Sequence, residues 1–184
     1  TQCRHRPQNS VTEQQALELA AKGGHEKTVE TLLKHGAFSD ASELGAGNYL
    51  SGKLVTAAAS GGSVKILELL MQNASLDIYS KSDDGERSPL FVACQFGHVE
   101  VVKLLLARMK QNNRFDFSCD TTGYTPLSIA CRGALIDVVE LVLECSDLTR
   151  VREERTFKGD SLLHIAAGGD SGHEIHRLAL IKLI

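Results

Sequence analysis

At 184 residues the chain is long enough for one domain, and its formal net charge of −3 gives no global basic field of the kind that draws nucleic acid. No apolar run approaches a membrane span, and no segment at the start resembles a signal peptide. The five cysteines are an odd number without a Cys-x-x-Cys pair, which points to reduced thiols in an intracellular protein, cytoplasmic or nuclear.

Residues 1–12 read as a flexible lead-in, polar and basic around Cys3, Arg4, His5 and Arg6. Cys3 and His5 lack two further ligands at usable spacing, so no metal is expected there. Ser10 with Glu13, or Thr12 with Gln15, offers a capping box for a first helix over Gln14 to Lys22. Gly23-Gly24-His25 makes a turn, and a second helix buries Val29, Leu32 and Leu33 before Gly36-Ala37 closes it. Phe38 to Gly52 is predicted as a long loop, loosened by Gly45, Gly47 and Gly52. Between Leu54 and Ser75, Ala57, Ala58 and Ala59 allow close helix approach, and Ile66, Leu67, Leu70 and Met71 form a buried stripe. Asp77 to Gly85 is a loop in which Asp83 and Asp84 lack the alternation of a calcium loop and read as a solvated turn.

Ser88-Pro89-Leu90-Phe91-Val92-Ala93-Cys94 opens a further helix, followed by Gly97-His98 and an apolar helix through Leu106. Arg108, Lys110 and Arg114 then cluster without interleaved aromatics, which reads as a solvated face. At Thr125-Pro126 a hydroxyl caps the next helix, and proline takes the first helical position, where its missing N–H costs nothing. Leu127 to Cys131 is a short apolar helix ended by Gly133, and the helix from Ile136 shows Val138, Val139, Val142 and Leu143 on one side. Ser146 to Asp160 carries charges of both signs and reads as a solvated arm. Ser161-Leu162-Leu163-His164-Ile165-Ala166-Ala167 begins one more helix.

These helix pairs repeat. Leu17, Val55, Leu90, Leu127 and Leu163 align at intervals of 38, 35, 37 and 36 residues. The Ser88–Leu106 and Thr125–Leu143 copies are strong, and the chain resembles the ankyrin repeat, whose period is about 33 residues with a Thr-Pro-Leu-His-x-Ala core. The resemblance covers residues 13–184 and implies an all-α solenoid of stacked antiparallel helix pairs with finger loops. Its five repeats are placed at about 13–50, 51–86, 87–122, 123–158 and 159–184, the last truncated. Every interval exceeds the family period, so each finger is expected to carry extra residues. Asp120-Thr121-Thr122-Gly123 matches the family finger without gaps, with Gly123 at a positive φ. The family's core histidine, which ties successive loops, is replaced by Phe91 and Ser128 and kept only at His164. For the second helix of the fifth repeat two registers stand open. One begins at Gly172-His173. The other, which fits better, places Leu180 to Ile184 opposite Val101 to Leu105.

No serine or cysteine has a setting that suggests a nucleophile beside a base, so no enzyme activity, cofactor or metal is expected of this segment. Gly168, Gly169 and Gly172 lack the Gly-Lys-Ser/Thr of a phosphate loop. The resemblance implies a protein–protein interaction module or scaffold that binds a partner protein or extended peptide in its concave groove. The alternative is a regulatory segment acting in cis within a larger signalling enzyme, a kinase or GTPase. Thr1 in place of Met favours a larger parent, and the apolar run Leu180 to Ile184 is expected to be covered by further repeats or a neighbouring domain. In this family the groove is lined by finger tips and by the two positions after the first helix's Ala-Ala pair. Here those positions are Lys22-Gly23, Ser60-Gly61, Gln95-Phe96, Arg132-Gly133 and Gly168-Gly169. Arg87, Gln95, Phe96, Tyr124 and Arg132 are the expected central contact, suited to acidic and apolar partner side chains. The competing expectation is that Phe96 packs on the adjacent repeat and Tyr124 decorates a finger.

Overall fold

A computed structural model describes residues 9–36, 47–72, 77–82, 86–146, 151 and 153–168. The described helices are α1 (Asn9–Lys22), α2 (Glu26–Lys34), α3 (Gly47–Gly61), α4 (Val64–Met71), α5 (Pro89–Phe96), α6 (Val99–Gln111), α7 (Pro126–Arg132), α8 (Ile136–Glu144) and α9 (Leu162–Gly168). They form two layers. α1, α3, α5, α7 and α9 pack side by side in one, and α2, α4, α6 and α8 in the other. Each inner helix up to α7 also packs on the outer helix that follows it. Among the described residues the β content is two isolated bridges at finger bases, Ser82 with Arg87 and Arg155 with Ser161. The described residues form an all-α solenoid of stacked helix pairs, as the resemblance implies.

The core is one continuous seam of small and branched side chains running between the layers. Ala20-Ala21, Ala58-Ala59, Ala93-Cys94 and Ala130-Cys131 are buried where inner helices meet. Small side chains let those helix backbones approach, and Ile66, Leu67, Val101, Val102, Val138 and Val139 fill the space behind them. The packing reading of Cys94 and Cys131 holds. Burial pushes both thiols up, Cys131 to about 12 with the Glu154 charge as a smaller cause, so neither is a ready nucleophile.

Local chemistry sets the helix starts as expected. Ser88 Oγ accepts from Phe91 N–H at 3.2 Å, with Pro89 at the first position of α5. Thr125 Oγ1 accepts from Ser128 N–H at 3.1 Å, and Ser128 Oγ accepts from Thr125 N–H at 2.7 Å, closing a capping box around Pro126. Ser128, standing where the family has histidine, thus serves its own helix.

Several expectations are corrected. Helix α1 begins at Asn9, so Ser10 and Thr12 lie within it rather than capping it. Helix α3 begins at Gly47, so residues 47–52 are helical where a loose loop was predicted. Tertiary contact overrides propensity there. A Cβ on Gly52 would lie 2.7 Å from the Lys81 carbonyl oxygen, so the glycine lets the helix press against the next finger. In the third repeat the surplus residues lengthen a helix, not only a finger. α6 has 13 residues, against 9 in α2, 8 in α4 and 9 in α8. Arg108, Lys110 and Arg114 are exposed as expected, and the Arg114 guanidinium also lies 4.1 Å over the Tyr79 ring, while Tyr79 O–H donates to the Arg114 carbonyl at 3.0 Å. The two registers of the fifth repeat, the apolar run Leu180 to Ile184, and the Cys3–His5 and Asp83–Asp84 readings lie outside the described residues.

Candidate functional site: the groove face of the inner helices

The inner layer presents one face to the outer helices and the other to a shallow groove bordered by the fingers. On α3, Lys53, Thr56, Ala57 and Ser60 follow the i, i+3, i+4, i+7 spacing of a single helix face. Glu18 and Lys22 share a face of α1, and Val92, Gln95 and Phe96 share one of α5. All of these, with finger residues Ser82 and Arg87, line one cleft of about 230 Å³. Among its described lining residues the cations are Lys22, Lys53 and Arg87, and the carboxylate is Glu18.

Three of the five expected contact residues, Arg87, Gln95 and Phe96, meet in this cleft. Phe96 is 55% exposed, and its ring stacks on His98 with centroids 6.1 Å apart. His98 Nε2–H donates at 2.9 Å to the Ser60 carbonyl of the preceding repeat, which fixes the ring that Phe96 leans on. Phe96 is thus supported from behind and open in front. Tyr124 and Arg132 are not in the cleft lining. They pair with each other, the Arg132 guanidinium 5.6 Å from the Tyr124 ring centroid.

Arg87 also has an internal role. Its Nε lies 3.8 Å from Asp120 Oδ2, and its guanidinium sits 5.6 Å from the Phe91 ring centroid. Asp120 is buried, and its Oδ1 accepts from Thr122 N–H, Thr122 O–H and Tyr124 N–H at 2.9, 2.6 and 3.0 Å. The carboxylate organises the finger leading into α7, and Arg87 brings a charge from the finger leading into α5. Successive fingers are therefore tied by an Arg–Asp pair resting on Phe91, where the family's histidine is missing. The pair is long for a hydrogen bond, and Arg87 Nε is buried without a hydrogen-bond partner.

Sequence reasoning missed Glu18, Lys53, Thr56 and Ser82. The signal was present in the helical spacing of Lys53, Thr56 and Ser60, but of these only Ser60 was read as lining the groove, from its place in the repeat. Thr56 is 8% exposed, and its Oγ1 is a buried polar atom with no partner on the cleft wall. Among the described residues no group of three or more His, Cys, Asp or Glu side chains is arranged to hold a metal ion. No described helix is long and apolar enough to cross a membrane.

Residues 54–152 match the family model for ankyrin repeats, in three copies. The chain is 30% identical over 129 residues to a glycerophosphocholine phosphodiesterase of Candida albicans, covering 70% of this chain and 10% of that protein. It is 34% identical over 107 residues to a probable 26S proteasome regulatory subunit of Saccharomyces cerevisiae, covering 56% of this chain and 44% of that one. An ankyrin repeat-containing protein of Schizosaccharomyces pombe is 33% identical over 104 residues, covering 55% of this chain and 40% of that one. In each case the chain spans less than half of the relative's length. The stacked helix pairs, the capped Ser-Pro and Thr-Pro starts and the three matched copies place this chain in the ankyrin-repeat family.

Proposed function

We infer that this chain binds an extended segment of a partner protein in the cleft across α1, α3 and α5, and that the segment carries acidic and apolar side chains. Ankyrin repeats are a general protein–protein interaction module, and the repeat region is not a catalytic one. The observation that carries the finer reading is the joining of Lys22, Lys53 and Arg87 with an exposed, backed aromatic, Phe96, in one groove. Aromatic and arginine side chains dominate interface energies, and a positive groove favours carboxylates. Tyr124 and Arg132, paired on the next repeat, extend the same surface beyond the cleft. In this reading the repeats number five across residues 13–184.

The relatives favour a second reading beside it. The match covers 10% of the phosphodiesterase and under half of the others, which supports a repeat array acting beside another domain of one longer chain. The same cleft would then take a segment of that chain in cis.

The test uses a fluorescent short peptide alternating glutamate with leucine and phenylalanine, with binding read by anisotropy. Phe96→Ala and Tyr124→Ala are made singly, and thermal unfolding is recorded for each. Phe96→Ala is expected to weaken binding about tenfold at unchanged stability, the effect of losing a moderate hot spot. Loss of stability with affinity intact would show that Phe96 is a packing residue and overturn the reading.

A further inference from the structure

Among the described residues, three buried side-chain polar atoms lack a hydrogen-bond partner, and two of them, Thr56 Oγ1 and Arg87 Nε, belong to residues lining the groove cleft. Folded proteins leave few such atoms, because each is costly until a partner reaches it. Thr56 is the more telling of the two. A threonine within a helix commonly bonds the carbonyl one turn back. Thr56, 8% exposed and inside α3, does not, and its hydroxyl stays unpaired on the cleft wall.

Arg87 is held in place without its Nε–H being used. Asp120 Oδ1 accepts from Thr122 and Tyr124 of its own finger, and Oδ2 lies 3.8 Å from Arg87 Nε. The two charges face each other across a gap too long for a hydrogen bond. The Arg87 side chain is 38% exposed, and the Phe91 ring supports its guanidinium at 5.6 Å. It can turn toward a ligand without breaking a bond at Nε. The Thr56 hydroxyl turns about a single bond, between the two χ1 rotamers open to threonine in a helix.

The cleft, about 230 Å³, is smaller than pockets that enclose whole ligands, so it takes a side chain of an extended segment rather than its length. Arg87 Nε–H can only donate, and the Thr56 hydroxyl has a proton to give. A carboxylate accepts from two donors at once, and its charge strengthens both bonds. An amide has a single accepting oxygen, and its NH2 group finds no acceptor on Arg87. We propose that Thr56 and Arg87 are the specificity-determining residues of the groove, together taking one aspartate or glutamate side chain of the partner segment, next to the apolar residue that rests on Phe96. This rests on the groove reading above and names the two donors behind its preference for acid.

The probes are the fluorescent glutamate peptide and the same peptide with glutamine in place of each glutamate, titrated against the intact protein. The wild type is expected to prefer the glutamate peptide by about tenfold or more, the gain from charge-assisted bonds. Thr56→Val removes the hydroxyl and keeps the shape. It is expected to cut that preference about fivefold while the unfolding midpoint stays the same or rises, because an unpaired buried polar atom is removed with it. Thr56→Ser keeps the hydroxyl and is expected to keep the preference. Arg87→Lys keeps the charge but loses Nε–H, and is expected to cut the preference about fivefold as well. Phe96→Ala is expected to weaken both peptides alike. A glutamate preference undiminished in Thr56→Val, with the fold intact, overturns the proposal and leaves the groove reading standing, since that rests on the glutamate peptide and Phe96. Equal binding of the two peptides by the wild type, or no binding of either, overturns both.

Discussion

The groove cleft and a second, loop cleft between the connections that follow α6 and α8 are built from the same repeats by opposite means. The groove is a regular surface. Its lining comes mainly from one face each of α1, α3 and α5, positioned by helix geometry and by small residues that bring the inner helices together. The loop cleft is lined largely by segments outside the helices, held by side chains that bond to their own or a neighbouring finger. The repeat scaffold supplies a general binding face, while the connections are free to take shapes of their own.

If that contrast is right, the loop cleft is the easier of the two to destroy by a single change. The largest effect is expected from Asp120→Ala. It removes a buried carboxylate that holds the finger before α7 through Thr122 and Tyr124 and faces Arg87. A loss of about 3 kcal/mol is expected, since hydrogen bonds to a charged group are worth about 1.5–3 kcal/mol each and water replaces some of them. Urea unfolding would measure it. If stability is unchanged, the finger is not organised by this carboxylate.

Next is Gly123→Ala. The left-handed backbone at φ +84° costs a side-chain-bearing residue about 1–2 kcal/mol, and the added methyl meets the Phe157 main chain. A destabilisation of about 2 kcal/mol is expected, with glutamate-peptide binding retained. Loss of glutamate-peptide binding would mean that this finger and the groove are mechanically coupled.

A smaller, opposite effect is expected on the inner helices themselves. The turn after each inner helix places one residue at positive φ: Gly24, Gly62, Gly97 and, in the fourth repeat, Ala134 at φ +53°. Gly133, where the helix was expected to break, stays right-handed at φ −78°. Ala134→Gly is expected to relieve strain and stabilise by about 0.5–1 kcal/mol, less whatever the more flexible unfolded chain takes back. No rise in the unfolding midpoint would show that the turn is relaxed around alanine.

The smallest effect appears only in alkali. The folded thiol of Cys131 titrates near 12, above its ordinary 9.0, so the folded state keeps its proton after the unfolded state has lost it. The contribution of this thiol is complete below pH 9.0 and is lost as pH rises toward about 12. Thermal unfolding against pH should fall over that window, and fall less steeply in Cys131→Ala, with the buried Cys94 thiol still contributing. Identical slopes in the two proteins would remove the thiol as the cause.

Much of this was legible in the chain. The aligned leucines and valine, the Ser-Pro and Thr-Pro starts and the alanine pairs act through contacts with sequence neighbours or through a fixed helical period. They specify helices, caps and repeat order directly. Arg87, Gln95 and Phe96 could be named for the groove because their positions follow from the repeat register. What the sequence could not determine depends on residues far apart along the chain. Arg87 is tied to Asp120 across one repeat, and Phe157 to Gly123 across most of another. Gly47 to Gly52 has the composition of a loop and becomes helix because the finger at Ser80 and Lys81 packs against it. Tyr124 and Arg132 lie outside the lining of the groove cleft and turn to each other. Periodicity fixes where each helix face points. Where the irregular connections go, and which charges they gather, is decided only when the repeats stack.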